Sequence, residues 1–578
     1  MLNLRNAITL PLAILSFFFN LFQTSCKFVV DVLREFQDQK AEALSLKHKM
    51  DHEVKTYKEW LELAHRLDEL KGIDIWKKVN ESDKYDYMGT EDRMFKLKEL
   101  MISKDLHGME WSLRTQLHRN ICGISNPVLY KNCSVGTKEL IENYIDQVCE
   151  MLDYIKDAPT NDAQELIDKF YFFRDTSHSF GRTALLLSGG ASLGMYHFGV
   201  AKALFEENLL PKIISGSSAG AIVASYLCMH SDDEMPHCFN PSRFNLDMFG
   251  GGCGVSQQFR HSAIRKILRF MRSGVLMDIS KLQQCLRDNI GDVTFEEAYK
   301  KSGRILNITI SSNQKFSMGP SLLNYLTSPH VLVWSAAAAS CCVPGVYKPV
   351  SLMAKDRRGH IINYHASGVQ FSDGSIYADL PVERLSELFN VNNLIVSQVN
   401  PYVIPFLNAN NIDTEEKGTV FGKIKHFLFQ ESKHRLLQMF EYNLVPKRLK
   451  FLERLLTQTY TGGITILPAD FEVKNYTRLL TNPTIPEIQN CLEQGARRTF
   501  VRMSIIKNRC RIEMQLQDCL SAIKKQMVSD QVFCYKNGVM AAEDVAVESS
   551  GDLVRRTNAL TSSVSIPSFN ILDIYEEE

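Results

Sequence analysis

Residues 183–227 read TALLLSGGASLGMYHFGVAKALFEENLLPKIISGSSAGAIVASYL, and the order of elements within them decides the fold. Ala184–Leu187 and Ile213–Ile214 are short apolar runs, each followed by a glycine-containing turn and a stretch with helical spacing. That pattern predicts strand, turn and helix twice over. The second turn, Gly216-Ser217-Ser218-Ala219-Gly220, matches G-x-S-x-G, in which small flanking residues let the chain bend sharply and hold the central hydroxyl clear of the backbone. Ser218 is the candidate nucleophile, supported by Gly216 and Gly220. The first turn, SGGASLG (Ser188–Gly194), presents backbone N–H groups at the start of a helix, where the dipole favours negative charge. Gly189, Gly190 and Ala191 are the candidate oxyanion donors, and Gly194 supports their turn. The turn does not fit nucleotide binding: Met195 stands where a P-loop needs lysine, and Ala191 breaks the dinucleotide G-x-G-x-x-G.

Further along, Arg304–Ser311 (RILNITIS) and Asn393–Val399 (NLIVSQV) are too apolar for a surface ladder and suit a parallel sheet covered on both faces. Between them, the four alanines of HVLVWSAAAASCCVPGVYKPV (His330–Val350) allow close helix packing, and Pro344-Gly345 ends the helix. Gly368–Gly374 (GVQFSDG) reads as a short strand ending in Asp-Gly, which puts a carboxylate at a strand's end, where open α/β sheets carry their chemistry. Asp373 is the candidate general base, and Gly374 lets the backbone turn away behind it. Alone, Asp-Gly is only a turn signal; its place downstream of the serine turn gives it weight.

The chain has 578 residues, enough for more than one domain or one enlarged domain. Its 66 basic and 66 acidic residues leave no global bias towards nucleic acid. The 14 cysteines are scattered without a C-x-x-C pair, which suggests neither a zinc module nor a disulfide framework. MHSDDEMPHC (Met229–Cys238) collects metal-ligand side chains at no standard spacing and reads as a solvated loop. No cofactor or metal is expected. At the N-terminus, Ala7–Phe22 is an apolar run shorter than the ~20 residues of a spanning helix. A secretory signal, a buried helix and an anchor lying in a membrane or lipid-droplet interface compete, the anchor being the reading favoured here. From Leu12 to Lys71 there is no Gly or Pro, and apolar positions recur at helical spacing, predicting long amphipathic helices. More helices are expected at Thr90–Ser103, Glu110–Asn120 and Thr137–Lys156. Lys417–Arg454 holds nine basic residues against three acidic ones among many apolar ones, a pattern for anionic lipid surfaces or for an ordinary helical cover. Ile464–Leu467 is expected to add a strand. The resulting plan is an anchoring segment (1–30), a helical module (31–175), a catalytic domain (176–410), a mainly helical C-terminal region (411–536) and a disordered tail (537–578).

Taken together, SGGASLGMYHFGVAKAL, the G-x-S-x-G serine, AAAASCCVP (Ala336–Pro344) and DGSIYADLP (Asp373–Pro381) resemble the patatin-like lipases, closest to the branch of fungal storage triacylglycerol lipases. The resemblance spans roughly Tyr57 to Val399, with Trp60 and Trp76 in the helical module. It implies a three-layer α/β/α fold with a mainly parallel central sheet, a helical module before it and helical segments after it. It also implies a Ser218–Asp373 dyad without histidine, acting on neutral lipid or phospholipid at the cytoplasmic face of a membrane, the endoplasmic reticulum or a lipid droplet. The sequence departs from the family pattern at Ala191, where Gly is usual, and at Leu193, where a basic residue is frequent. Triacylglycerol hydrolysis is the leading expectation. A phospholipase A or lysophospholipid acyltransferase could use the same dyad, although no H-x4-D acyltransferase motif follows any histidine. An inactive lipid-binding scaffold is the remaining alternative. A Ser-His-Asp triad would need a histidine, and His365 is the nearest in sequence to Asp373; it can equally be structural, and the resemblance argues against the triad, while His197 on its helix is expected to pack.

Overall fold

The computed structural model describes Arg34 and residues 37–160, 163–245, 247–249, 268–312, 320–365, 369–374, 379–401, 403–404, 420–442, 460–468 and 478–536. The apolar run Ala7–Phe22, the tail from Asn537 and most of the glycine run after Met248 lie outside the described residues.

The strands in chain order are β1 (Arg182–Leu187), β2 (Ile213–Gly216), β3 (Ile305–Ser312), β4 (Pro320–Leu323), β5 (Met353–Lys355), β6 (Ile361–Asn363), β7 (Phe371–Asp373), β8 (Val391–Ser397) and β9 (Ile464–Ile466). The main sheet has the order β4-β3-β2-β1-β8-β9, with β7 also paired to β3, while β5 and β6 form a separate antiparallel hairpin. β1 lies parallel between β2 and β8, β2 runs parallel to β3, and β8 to β9; β4 and β7 pair antiparallel with β3. Side chains alternate across a strand, so the apolar run of β1 feeds two cores. Leu185 and Leu187 join the larger core with the helices Tyr196–Glu206, Ala219–Cys228 and Val333–Ser340. Ala184 and Leu186 join the smaller one with Leu385 and Phe389 of the helix Val382–Phe389. The sheet is thus sandwiched between helical layers, as a parallel sheet requires. The expected strands at Arg304–Ser311, Asn393–Val399 and Ile464–Leu467 are found within a residue or two. The antiparallel strand β4 and the β5–β6 hairpin were not expected.

Ahead of the sheet come the helices Tyr57–Leu70, Ile73–Lys78, Tyr87–Ser103, Leu106–Gln116, Glu139–Asp157 and Ala163–Phe180. Without Gly or Pro, the stretch to Lys71 nevertheless breaks at 53–56. Thr56 ends the break with a capping box: its hydroxyl accepts from Glu59 N–H, and the Glu59 carboxylate accepts from Thr56 N–H. Two main-chain donors satisfied at once outweigh helix continuation there. The helix expected at Glu110–Asn120 sits earlier, at Leu106–Gln116, because Asp105 caps it by accepting from Gly108 N–H.

The C-terminal helices are built into both parts. Where the helix Ile485–Phe500 crosses Tyr196–Glu206, a Cβ on Gly199 would stand 2.1 Å from Leu492 O, and one on Gly495 2.4 Å from Tyr196 O. The next helix, Met503–Lys536, places Ile512, Leu516, Cys519 and Ile523 in the core of the N-terminal helical module with Phe172 and Phe173. Among the described residues no helix is long and apolar enough to cross a membrane.

Candidate active site

β2 stops at Gly216, and the chain turns so tightly that Ser218 takes φ 51° and ψ −120°. A non-glycine residue at such angles costs on the order of 1–3 kcal/mol, so the surroundings must enforce it. Two contacts do so. Ser218 N–H donates to Ser340 Oγ at 2.9 Å, and Ser340 Oγ donates onward to Thr309 O of β3 at 2.8 Å. Behind the turn, Gly220 lies so close to the end of β1 that a Cβ there would be 2.1 Å from Leu187 O. The turn leaves Ser218 only half-buried at the C-terminal ends of the strands.

The register of β3 brings the carboxylate to this place. Ile308 pairs with Gly216 of β2, and two residues on Ile310 pairs with Asp373 of β7. Ile310 also pairs with Ser321 of β4 on its other edge, so β7 occupies the edge that β2 vacates when it bends into the serine turn. Asp373 therefore sits where residue 218 would have paired had β2 run straight. A Cβ on Gly374 would lie 2.8 Å from Thr309 C, which fixes glycine after the aspartate. Asp373 is buried, and its N–H donates to Cys342 O at 3.1 Å. Cys341 borders both residues: burial, then the Asp373 charge, push the pKa of its thiol far up. A thiol held neutral in this way is a poor competing nucleophile.

The glycine turn after β1 lies beside the serine turn, at the point where strand order reverses around β1, the usual site of chemistry in open α/β sheets. Gly189 was expected among the oxyanion donors, but its N–H is engaged, donating to Asp379 Oδ1 at 3.0 Å. The N–H groups of Gly190 and Ala191 carry no hydrogen bond among the described residues. Ala191 has φ 51°, in the left-handed region that favours glycine. Asp379 is the site residue that sequence reasoning missed. It is buried, its main-chain oxygen accepts from Ser217 Oγ at 2.7 Å, and Asn400 Nδ2 donates to its carboxylate at 3.4 Å. It thereby ties the glycine turn to the serine turn. Burial is the largest influence on its carboxyl, whose pKa is pushed up to about 7.

His197 is fully buried and structural. Its Nε2 faces Ser188 O at 2.9 Å, so Nε2 carries the proton and Nδ1 accepts from Ser397 Oγ at 2.7 Å. Desolvation drives its pKa down to about 4, which keeps the ring neutral at physiological pH. His365 is exposed beyond β6, its ring 5.5 Å from that of Phe371. The segment expected to be a solvated loop at Met229–Cys238 is instead pinned: Asp232 pairs with Arg304, Glu234 with Lys301, and Met235 and Cys238 are buried. Among the described residues no group of three or more His, Cys, Asp or Glu is placed to hold a metal ion.

The model of the patatin-like phospholipase family matches residues 185–386, and a domain of unknown function, DUF3336, matches the helical module at 36–178. The chain is 35% identical over 489 residues to triacylglycerol lipase 5 of Saccharomyces cerevisiae, covering 82% of this chain and 64% of that one. It is 36% identical over 532 residues to triacylglycerol lipase SDP1L of Arabidopsis thaliana, covering 89% and 63%. With triacylglycerol lipase ptl3 of Schizosaccharomyces pombe it shares 34% identity over 480 residues, covering 82% and 97%. It thus spans a little under two thirds of the first two relatives and nearly all of the third. A family model over residues 185–386 and a relative matched almost end to end lead to one conclusion: this chain belongs to the patatin-like phospholipase family.

Proposed function

We propose that the chain is a serine lipid-ester hydrolase that releases fatty acid from triacylglycerol through Ser218 and Asp373. The observation that carries this reading is the register of β3, which sets Asp373 beside the strained turn bearing Ser218. Asp373 accepts the proton of Ser218 Oγ as Oγ attacks the ester carbonyl. The developing oxyanion meets the open N–H groups of Gly190 and Ala191, each commonly worth about 3 kcal/mol to the transition state. The diacylglycerol leaves with the proton, and water then cleaves the acyl-enzyme. Preference for triacylglycerol is supported by the names of the relatives.

The reaction takes place at a lipid-droplet surface or a membrane face. Support comes from the apolar run Ala7–Phe22 and from the helix Val420–Glu441, on which Phe427, Leu436 and Met439 are exposed. Amphipathic segments of this kind insert their apolar side between headgroups. Incubating the purified chain with emulsified triacylglycerol and with phosphatidylcholine, followed by product identification, tests the substrate. Fatty acid and diacylglycerol are expected from the first, with Ser218→Ala inactive. Release confined to phosphatidylcholine would make the chain a phospholipase A, in keeping with the description of the family, and release by Ser218→Ala would remove the nucleophile.

A further inference from the structure

At the opposite end of the sheet, where β1 and β8 begin, the helical module, the sheet and the helix Met503–Lys536 enclose a cleft of about 670 Å³. Its wall includes Lys84, His118, Arg119, Asn392 and Arg509, and among the described residues no carboxylate lines it. Arg119 is saturated: it pairs with Glu513 at 3.0 Å, donates to Gly181 O and Asn392 Oδ1, and lies 4.5 Å from the centre of the Phe180 ring. Arg509 is not. It donates to Ser125 O, yet its Nε is buried with no acceptor, and among the described residues no carboxylate pairs with it. Glu513, the partner of Arg119, has its oxygens also taken by Thr183 N–H and its hydroxyl, so it is fully engaged without Arg509. Burial holds the Arg509 pKa below its usual value, the mark of a cation short of compensation. A largely desolvated cation without a counter-charge is among the more costly features a fold can keep.

We propose that this cleft binds a small phosphorylated anion whose phosphate pairs with Arg509, Lys84 and His118. Guanidinium forks suit phosphate oxygens, and the volume lies in the range of small-molecule sites, leaving room for a polar body against the amides of Asn120, Asn126 and Asn392. The wall offers little to an acyl chain, since among the described residues Pro127, Phe180 and Leu394 are its only large apolar members. The site is separate from the serine: the six residues of β1 put roughly 20 Å between them. A ligand here would tie together three segments distant in sequence and stabilise the folded chain by mass action.

Thermal melting of the full chain with pyrophosphate and with glycerol 3-phosphate, at ionic strength matched by sodium chloride, tests this. A saturable rise in Tm is expected, unchanged in Ser218→Ala. The double variant Lys84→Ala/His118→Ala removes two exposed side chains, one paired only at the surface with Asp83, and so keeps the fold. It is expected to weaken the response at least tenfold, since one charge-assisted contact is worth roughly that much and two are removed. Arg509→Lys should weaken it as well. Phosphatidate vesicles form a second arm: binding to them that depends on Lys84 and His118, without a response to the soluble compounds, would assign the phosphate to a lipid headgroup. No saturable response in either arm, or one that the double variant leaves intact, overturns the site.

Discussion

At the C-terminal ends of β1 and β2 the chain gathers buried carboxylates and open main-chain N–H groups; where β1 and β8 begin it gathers guanidiniums held from three sides. The first end is made almost entirely by backbone geometry. Gly220 admits Leu187 O, Gly374 admits β3, and the angles of Ser218 follow from them. Side chains reaching across long sequence separations make the other: Arg119 to Glu513, and Arg509 to Ser125. The contrast teaches that chemistry can be held by short local motifs, whereas the union of module, sheet and C-terminal helix depends on a few buried charges.

The largest expected effect breaks the first end and spares the second. Asp373→Asn retains the shape of the side chain but removes the base, so ester hydrolysis should fall roughly 10⁴-fold while Tm stays within a few degrees. Full activity in Asp373→Asn would assign proton removal to another group. The converse experiment is Glu513→Gln. It leaves the buried Arg119 guanidinium without its carboxylate partner, and a loss of roughly 3–5 kcal/mol is expected from urea unfolding. Activity per folded molecule should remain near that of the parent chain. If Glu513→Gln instead lowered kcat at unchanged stability, the two ends would be coupled and the contrast would fail.

Asp379 lies between these extremes, a buried carboxyl inside the backbone-built end. Its carboxyl keeps a proton in the folded chain up to about pH 7, whereas the unfolded chain releases it near the ordinary aspartate value. Between those limits the folded state holds the extra proton. Stability therefore falls as pH rises through this window, by on the order of 4 kcal/mol, and is flat on either side as far as this group is concerned. Asp379→Asn cannot titrate, so the difference in Tm between parent and variant should narrow or reverse from pH 4.5 to pH 7.5. Parallel profiles would mean that Asp379 is ionised throughout.

The same contrast explains what the sequence disclosed. Both turns and their strands fall within 45 residues, from Thr183 to Leu227, and obey local steric rules, so they were legible together with the strand ending at Asp373. Asp379 was not, because Asp-Leu-Pro reads as an ordinary turn and its partner Gly189 is 190 residues away. The basic cleft left no trace in composition, since Lys84, Arg119 and Arg509 meet only through tertiary packing. At Thr56 the signal was present as T-x-x-E and was outweighed by the absence of Gly and Pro around it.

The smallest expected effect concerns Ala191, where the backbone-built end carries strain that its own rules do not require. A left-handed non-glycine residue costs about 1–2 kcal/mol, and Ala191→Gly would relieve it. Glycine also loosens the unfolded chain, which returns about 0.4–1 kcal/mol of that gain. The net should be stabilising by between about 0 and 1.6 kcal/mol, read as a small rise in Tm. Because the turn keeps its angles, the N–H of residue 191 keeps its direction, and kcat should change less than about twofold. A large fall in kcat with the expected rise in Tm would show that the alanine methyl itself holds the donors in place. The site would then owe its geometry to a side chain after all, as the basic cleft does.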